Sequence, residues 1–251
     1  MLLTLGLSNS RAQEDKMMFN HMSLGITAGL DGAGVEVVFP ATDFLQLRCG
    51  YSFIPVHLNG KVSLGTFTLD DDSITLSDVP VNASIWKGGM GNLMLDIYPS
   101  RTGSFHFVAG VYAGPGKLIG SKVDARGYIE PEHYKTGLGR QGVSCSTDGE
   151  GFIHLDAAVM KAMPYLGLGF GRALNPDSRV CFNFELGAAY SGGIKLVAYD
   201  YSNPNKVTTS VLTSSVFVTE SGNQLDGGII DKLARFPVLP MFKFGLYVRL
   251  F

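Results

Sequence analysis

The chain has 251 residues, of which 45% are hydrophobic and 17% are charged, and its formal net charge is -2. This charge balance excludes the basic surface that is expected of a nucleic-acid-binding protein. No run of about 18 consecutive apolar residues is present, so a membrane helix is excluded and any membrane crossing must use strands. The length is sufficient for one barrel domain with substantial loops.

The first twelve residues are typical of the remnant of a secretory signal peptide. Leu2–Leu7 form a short apolar core, and Ser10 and Ala12 put small residues at the two positions that a signal peptidase reads. We therefore predict cleavage before Gln13, followed by an N-terminal linker over residues 13–21. The basic region that should precede the core is missing, so either the true start lies upstream or the apolar core is coincidental. We favour the upstream start.

From residue 22 onward, apolar and polar residues alternate in a series of short segments. An alternation of this kind predicts β-strands with one apolar and one polar face. The predicted apolar faces lie within Leu24–Leu30, Val35–Phe39, Leu45–Phe53, Leu93–Ile97, Phe105–Ala113, Leu166–Phe170, Phe182–Ala188 and Phe242–Leu250. These segments give eight strands, the smallest common number for a membrane barrel, with ten strands as the alternative.

The connections between the predicted strands differ in length. Short turns centre on Thr42, Thr102 and Asp177, and the Asp31-Gly32 pair gives a further tight connection. Long segments alternate with the three turns, at about residues 55–91, 115–163 and 191–241. Short connections at one rim and long connections at the other are typical of barrels with periplasmic turns and extracellular loops. We therefore predict an all-β fold in which residues 22–251 form a single antiparallel transmembrane β-barrel.

The C-terminal strand shows the alternation most clearly. Its apolar face consists of Phe242, Phe244, Leu246, Val248 and Leu250. Lys243 and Arg249 lie on the opposite face, together with the terminal Phe251. Because similar apolar faces recur along the chain, we interpret them as a surface that contacts lipid. Outer-membrane lipid and the barrel assembly machinery are therefore the expected partners of this strand.

Five segments resemble known proteins. They are Met94–Pro99, Phe105–Gly110, Pro164–Ala173, Glu185–Gly192 and Leu225–Phe251. Together they resemble a group of uncharacterised Gram-negative outer-membrane β-barrel proteins with the architecture of small OmpA/OmpX-like barrels, whereas the long loops match this group poorly. The resemblance implies a fold and an outer-membrane location, and it brings no activity and no site residues. Such barrels usually place the terminal Phe on the lipid face, whereas Phe251 falls on the inner side here.

Ionisable residues recur on the inner faces of the predicted strands. They are Glu36, Arg48, Asp96, His106, Glu185, Lys243 and Arg249. Their distances from the turns predict three cross-strand pairs: Glu36 with Arg48, Asp96 with His106, and Glu185 with Lys243. Charges removed from water persist only when they are paired. Since an eight-stranded interior is barely wide enough for side chains, we favour a plug of salt bridges over a gated polar pore.

Other polar clusters give weaker signals. Asp70–Asp72 and Asp148–Glu150 offer oxygen ligands of the type that calcium takes, but neither has the spacing of a calcium-binding loop, so we predict solvated loops and no metal site. Asp226–Arg235 is expected to form a short helix above the barrel. His154 and Asp156 precede the sixth strand with a spacing of two, which indicates a strand extension beyond the membrane rather than a catalytic pair.

Neither the cysteines nor the histidines form a recognisable catalytic site. Cys49, Cys145 and Cys181 are odd in number and are not spaced as zinc ligands. A lipid-modifying enzyme would need a serine or similar nucleophile beside a histidine. His106 has Asp96 as a candidate acid but no evident serine, and no nucleophile elbow is present. We therefore predict no catalytic activity and no cofactor.

These observations predict an integral outer-membrane protein of a Gram-negative bacterium that is not an enzyme. Its expected role is surface interaction or envelope structure, with an extracellular ligand bound at loops that a rigid scaffold displays. The first alternative is a small porin-like channel or conduit for polar solutes or apolar ligands. An outer-membrane enzyme that modifies lipids is the least favoured alternative.

Overall fold

The computed structural model describes residues 21–69, 72–140, 143–175, 177–202, 207–211 and 236–250. The signal remnant with most of its linker, Asp70 and Asp71, the helix predicted over Asp226–Arg235, and Phe251 lie outside the described residues. Within them, regular structure consists of strands and one 3₁₀ helix, Pro131–His133. No helix in this part of the chain is long and apolar enough to cross a membrane.

Eight strands close into an antiparallel barrel, which confirms the predicted fold. With strands numbered in chain order, they are β1 (Ser23–Gly29), β2 (Gly32–Thr42), β3 (Leu45–Phe53), β8 (Met90–Ile97), β9 (Phe105–Ala113), β14 (Ala162–Gly171), β15 (Val180–Tyr190) and β18 (Val238–Arg249). Their order around the barrel is β1-β18-β15-β14-β9-β8-β3-β2. β1 completes the closure because it pairs with β2 on one side and with β18 on the other, where Ser23 lies opposite Arg249.

The barrel wall has an apolar outer face and a polar inner face. Outward side chains remain strongly exposed, as Leu166 (71%) and Ile26 (65%) show. Inward charged groups such as Arg48 and Asp96 are fully buried. On β18, Phe242, Phe244 and Val248 are exposed and Leu246 is half-buried, and Leu250 just beyond the strand is exposed. A wall of this polarity suits a hydrocarbon exterior rather than water.

Glycines make room for a large ring inside the barrel. A Cβ atom at Gly25 would lie 2.2 Å from a ring carbon of Tyr247, and a Cβ atom at Gly245 would lie 2.4 Å from another. A side chain at either position would therefore force the buried Tyr247 ring to move. The frequent glycines of the alternating segments thus allow large interior groups to fit within a narrow wall.

The long connections continue the barrel wall as a second sheet. Its strands are β4 (His57–Val62), β7 (Val79–Ile85), β10 (Lys117–Asp124), β13 (Phe152–Ala158), β16 (Lys195–Tyr199) and β17 (Val207–Val211). They are ordered β17-β16-β13-β10-β7-β4. Five strands of this sheet each lie next to one barrel strand in the sequence: β16 next to β15, β13 next to β14, β10 next to β9, β7 next to β8 and β4 next to β3. These five barrel strands are neighbours in the barrel in the same order. The segments predicted as loops therefore contain strands that extend the barrel.

A third sheet covers the second. It contains β5 (Gly65–Leu69), β6 (Asp72–Leu76), β11 (Leu138–Arg140) and β12 (Val143–Cys145), in the order β12-β11-β5-β6. We call the second and third sheets together the distal module. Its buried apolar cluster consists of Leu64, Leu76, Val79, Val123, Ala125, Ile129, Leu138, Cys145, Ile153, Leu155 and Ala198. The module thus has its own hydrocarbon core, separate from the polar interior of the barrel.

Candidate functional site

Arg48 is the centre of the buried charge cluster inside the barrel. Its Nη2 donates a hydrogen bond to Asp96 Oδ1 at 2.8 Å, and its Nη1 donates to Glu36 Oε2 at 3.2 Å. Its Nη2 also donates to Glu185. β3, which carries Arg48, and β15, which carries Glu185, lie on opposite sides of the barrel. One guanidinium group therefore ties opposite walls together across the lumen, using the fixed fork of donors that arginine provides.

Lys243 forms a second part of the same cluster. Its Nζ donates to Glu36 Oε1 at 2.8 Å and lies 3.1 Å from Asp31 Oδ2. The Tyr247 hydroxyl donates to Glu36 Oε2 at 2.6 Å, and the Ser52 hydroxyl donates to Asp31 Oδ2 at 3.0 Å. Glu36 accepts hydrogen bonds from both cationic side chains, so it joins the arginine and lysine parts into one network.

The three predicted pairs have different outcomes. Glu36 and Arg48 do form an ion pair. Glu185 lies directly opposite Lys243 in the strand register, but the ion pairs of Lys243 are with Glu36 and Asp31. The reason is geometric: the Lys243 side chain reaches across β1 to the β2 carboxylate, while Arg48 reaches across the lumen to Glu185.

The predicted pair of Asp96 and His106 is wrong. Asp96 forms its ion pair with Arg48. His106 Nδ1 lies 3.2 Å from the Ser104 carbonyl oxygen, and its ring packs against Tyr98 with centroids 4.6 Å apart. In the register of β8 and β9, Asp96 faces Val108 rather than His106, which directs the carboxylate toward the long Arg48 side chain instead.

Arg249, the last predicted interior charge, lies at the end of β18. Its Nη1 faces the Asn175 carbonyl oxygen at 3.5 Å, so it is placed beside the β14–β15 connection. The sequence pattern places Asp31 in a turn and does not predict that its carboxylate is buried beside Lys243. Nor did it indicate the role of Tyr247, although the alternation places this residue on the inner face. Turn residues next to a barrel strand can thus point into the lumen.

The cluster contains more acids than bases. Within the described part of the chain, Asp31, Glu36, Asp96 and Glu185 surround two buried cations, Arg48 and Lys243. Asp31 Oδ1 is buried and accepts no hydrogen bond from the described residues. A buried carboxylate oxygen without a protein donor retains capacity for water or for a proton. The cluster is therefore a polar, hydratable layer within the barrel.

The rim that carries the short turns is closed by the β14–β15 connection. Ala173 and Leu174 of this connection are buried in an apolar cluster with Val38, Cys181 and Tyr247. Gln46 Nε2 donates to the Leu174 carbonyl oxygen at 2.6 Å, and the Leu174 amide donates to Gln46 Oε1 at 3.3 Å. Arg172 stacks over the Tyr98 ring, with 4.3 Å between its Cζ atom and the ring centroid. These contacts hold the connection inside the barrel mouth.

The opposite end of the lumen is filled by methionines and aromatic residues. Trp86, Met90, Met94, Val108, Tyr112, Met163, Tyr165, Ala189 and Met241 form this buried cluster. The Trp86 indole N–H donates to the Leu30 carbonyl oxygen at 3.1 Å, which ties the cluster to the β1–β2 turn. Side chains therefore fill the lumen in three layers, with apolar groups at both ends and charged groups between them.

The distal module carries two polar pairs on its outer face. His154 Nε2 lies 2.9 Å from Asp148 Oδ2, and Lys117 Nζ lies 2.7 Å from Asp156 Oδ2. The hydrogen bond with Asp156 raises the pKa of Lys117. Although burial alone would raise the pKa of Asp148, hydrogen bonds from the Phe152 backbone and from His154 lower it overall. His154 and Asp156 lie on β13, as a strand extension requires, and each has a different partner.

The described residues offer few groups suited to metal or thiol chemistry. They contain no group of three or more His, Cys, Asp or Glu side chains that could hold a metal ion. Cys49, Cys145 and Cys181 are free thiols. Burial raises the pKa of Cys145 to about 12, so this thiol is held in its unreactive protonated form.

The chain matches known proteins at the level of structure alone. No protein-family model matches the chain, and no curated protein matches it. The chain is similar to crystal structures of two Acinetobacter baumannii proteins: CarO (18% identity, 90% of this chain and 96% of that chain, TM-score 0.43) and CarO2 (16%, 93% and 99%, 0.46). It is also similar to a major outer membrane protein from Thermus thermophilus, at 12% identity over 92% of this chain and 99% of that chain, with a TM-score of 0.37.

Proposed function

We propose that the chain is an integral outer-membrane protein whose filled barrel anchors the distal module at the cell surface for interaction with an external ligand, without catalysis. The observation that carries this proposal is the buried Arg48 guanidinium, which joins Glu36, Asp96 and Glu185 across the lumen. A barrel tied across its centre is suited to be a rigid anchor rather than an open conduit.

The exterior of the barrel supports the membrane location. Large apolar side chains on neighbouring strands, such as Phe182 on β15 and Phe244 on β18, are exposed on the outer wall. An apolar belt of this extent would associate or aggregate in water, whereas lipid accommodates it. The module beyond the belt instead exposes polar groups such as Lys122 and Asn82. It is therefore the part suited to contact water and soluble ligands.

Conductance in planar bilayers tests the anchor against the channel alternative. The refolded protein should show no stable ohmic openings, because the charged layer and both apolar layers occupy the lumen. A channel would instead give steady openings whose ion selectivity changes in Glu185→Gln, since that substitution removes a charge from the lumen. Such openings would contradict the proposed anchor function.

A binding screen tests the surface role directly. Refolded full-length protein is screened against glycans, lipids and host proteins, and each binder is tested again with Tyr201→Ala, which alters an exposed ring of the module. The matched control is Arg101→Gln, a strongly exposed residue at the opposite rim. A ligand of the module should lose affinity in the first variant only, whereas equal binding by both variants would argue against recognition by this face.

A further inference from the structure

Four lysines lie where the barrel wall passes into the distal module. Lys87 lies between β7 and β8, Lys117 begins β10, Lys161 lies between β13 and β14, and Lys195 begins β16. Each lysine therefore belongs to a different crossing between the barrel and the module. The four barrel strands concerned, β8, β9, β14 and β15, are consecutive neighbours in the wall.

Backbone hydrogen bonds hold these four crossings side by side. The Trp86 amide donates to the Leu118 carbonyl oxygen at 2.8 Å, and the Gly114 amide donates to the Lys161 carbonyl oxygen at 2.8 Å. The Met160 amide donates to the Ser191 carbonyl oxygen at 3.0 Å. Since paired strands are about 4.8 Å apart, the four lysines form a continuous row along one side of the rim. We call Lys87, Lys117, Lys161 and Lys195 the lysine rim.

The lysine rim contains a strong excess of positive charge. The segments around the four lysines contain no Asp or Glu. These segments are residues 84–95, 110–123, 157–171 and 187–199, and they also include Lys122. Lys117 is held by Asp156, which enters from the neighbouring strand. Lys87, Lys161 and Lys195 are exposed, and in the described part of the chain they take part in no ion pair. Three lysine ammonium groups therefore remain available to an anion.

Exposed apolar side chains lie beside the lysine rim. Met160 is 43% exposed next to Lys161, and Tyr190 is 49% exposed at the end of β15. Below them the apolar belt of the barrel begins, with Leu93 exposed on β8. A row of cations directly above an apolar surface is complementary to an amphiphile with an anionic head and hydrocarbon chains. A soluble anion would use only the upper half of this surface.

We propose that the lysine rim binds the phosphate headgroup of an anionic lipid whose chains lie along the apolar belt of β8, β9, β14 and β15. The lipid would occupy the leaflet on the module side of the barrel. Binding there would fix the height of the barrel in the membrane and hold the base of the module against the lipid surface. The side chains required are long and flexible, so they can follow the headgroup without a preformed pocket.

The single tryptophan of the chain provides a local probe, because Trp86 is adjacent to Lys87. Full-length protein in a neutral detergent is titrated with phosphatidic acid while Trp86 fluorescence is recorded. The test variant is Lys87→Gln/Lys161→Gln/Lys195→Gln, which spares the Lys117–Asp156 pair. The control variant, Lys61→Gln/Lys122→Gln/Lys135→Gln, loses the same net charge from the module. Gel mobility of heated and unheated samples verifies that both variants are folded.

The native chain should show a saturable response to phosphatidic acid and none to phosphatidylcholine. The half-saturation concentration should rise at least tenfold in the rim variant, since each lysine near a membrane surface contributes about fivefold. It should change less than twofold in the control. Equal shifts in both variants would reduce the effect to net charge, and saturation by inorganic phosphate alone would show a free-anion site. Either result overturns the proposal. It is also overturned if the native chain shows no saturable response and retains no phosphatidic acid through gel filtration.

Discussion

Strands of the barrel continue directly into strands of the distal module, yet the two regions differ in which face is apolar. The apolar face points outward in the barrel and inward in the module. In β14, Leu166 is exposed on the outer face while Tyr165 is buried in the lumen. In β13, the apolar Ile153 is buried in the module core while the polar His154 lies on the outer face. The alternation has the same period in both regions. The proposed membrane location accounts for the difference, because hydrocarbon outside selects the opposite pattern from water outside.

The two regions also differ in how much an ion pair contributes to the stability of the fold. Ion pairs of the barrel, such as Arg48 with Glu185, are buried, so the loss of one partner leaves a charge without compensation. In the module, the pair of Arg126 with Asp124 is instead largely exposed and is screened by solvent. The Arg48 pairs are therefore structural, whereas the Arg126–Asp124 pair should be nearly neutral.

The largest expected effect follows from removing the central arginine. Arg48→Met should destabilise the barrel by about 3–5 kcal/mol, because it leaves Glu36, Asp96 and Glu185 without the cation that they share. Urea unfolding of the protein in lipid vesicles measures the change. Arg126→Met in the module is the matched control and should be close to neutral. Comparable losses in the two variants would contradict the contrast between the regions.

The apolar faces of the two regions allow a second comparison. Leu166→Arg puts a cation near the middle of the apolar belt and should destabilise or impair assembly by about 2–4 kcal/mol. Leu58→Arg places the same group on β4 of the module, where the leucine is 50% exposed, and should be nearly neutral. The fraction of heat-modifiable protein after refolding into vesicles reports both effects. If Leu166→Arg assembles as well as Leu58→Arg, the belt does not face lipid.

The sequence predicts the barrel well because its strands are long and strictly alternating. The module is harder to predict, since β5 and β6 have only five residues each and are too short for a clear period. Strands such as β11 have three residues and depend on their neighbours in space. The sequence pattern therefore predicts loops for the long connections, although they contain two sheets and a core.

The charged residues of the lumen can also be predicted from the sequence only in part. Alternation correctly assigns Glu36 and Arg48 to the inner face, because facing depends only on local geometry. Partner choice depends on how far each side chain reaches, and Arg48 contacts a strand on the opposite wall that no sequence spacing indicates. Asp31 was missed for a related reason, since a turn residue has no alternation to follow. Long-range contacts inside a narrow barrel thus require the closed structure.

The smallest effect, and the sharpest test of partner choice, is a coupling energy measured for Lys243. Its Nζ bonds Glu36 at 2.8 Å, whereas Glu185, its neighbour in the strand register, bonds Arg48. Lys243→Met combined with Glu36→Gln should therefore show a coupling of about 1 kcal/mol or more in a double-mutant cycle, because these two groups share a buried hydrogen bond. Lys243→Met combined with Glu185→Gln is the comparison and should show a smaller coupling, because these two groups interact through the shared network without a direct hydrogen bond. Urea unfolding of the singles and doubles supplies all the terms. Stronger coupling to Glu185 than to Glu36 would mean that strand register, rather than side-chain reach, selects the ion pairs of the lumen.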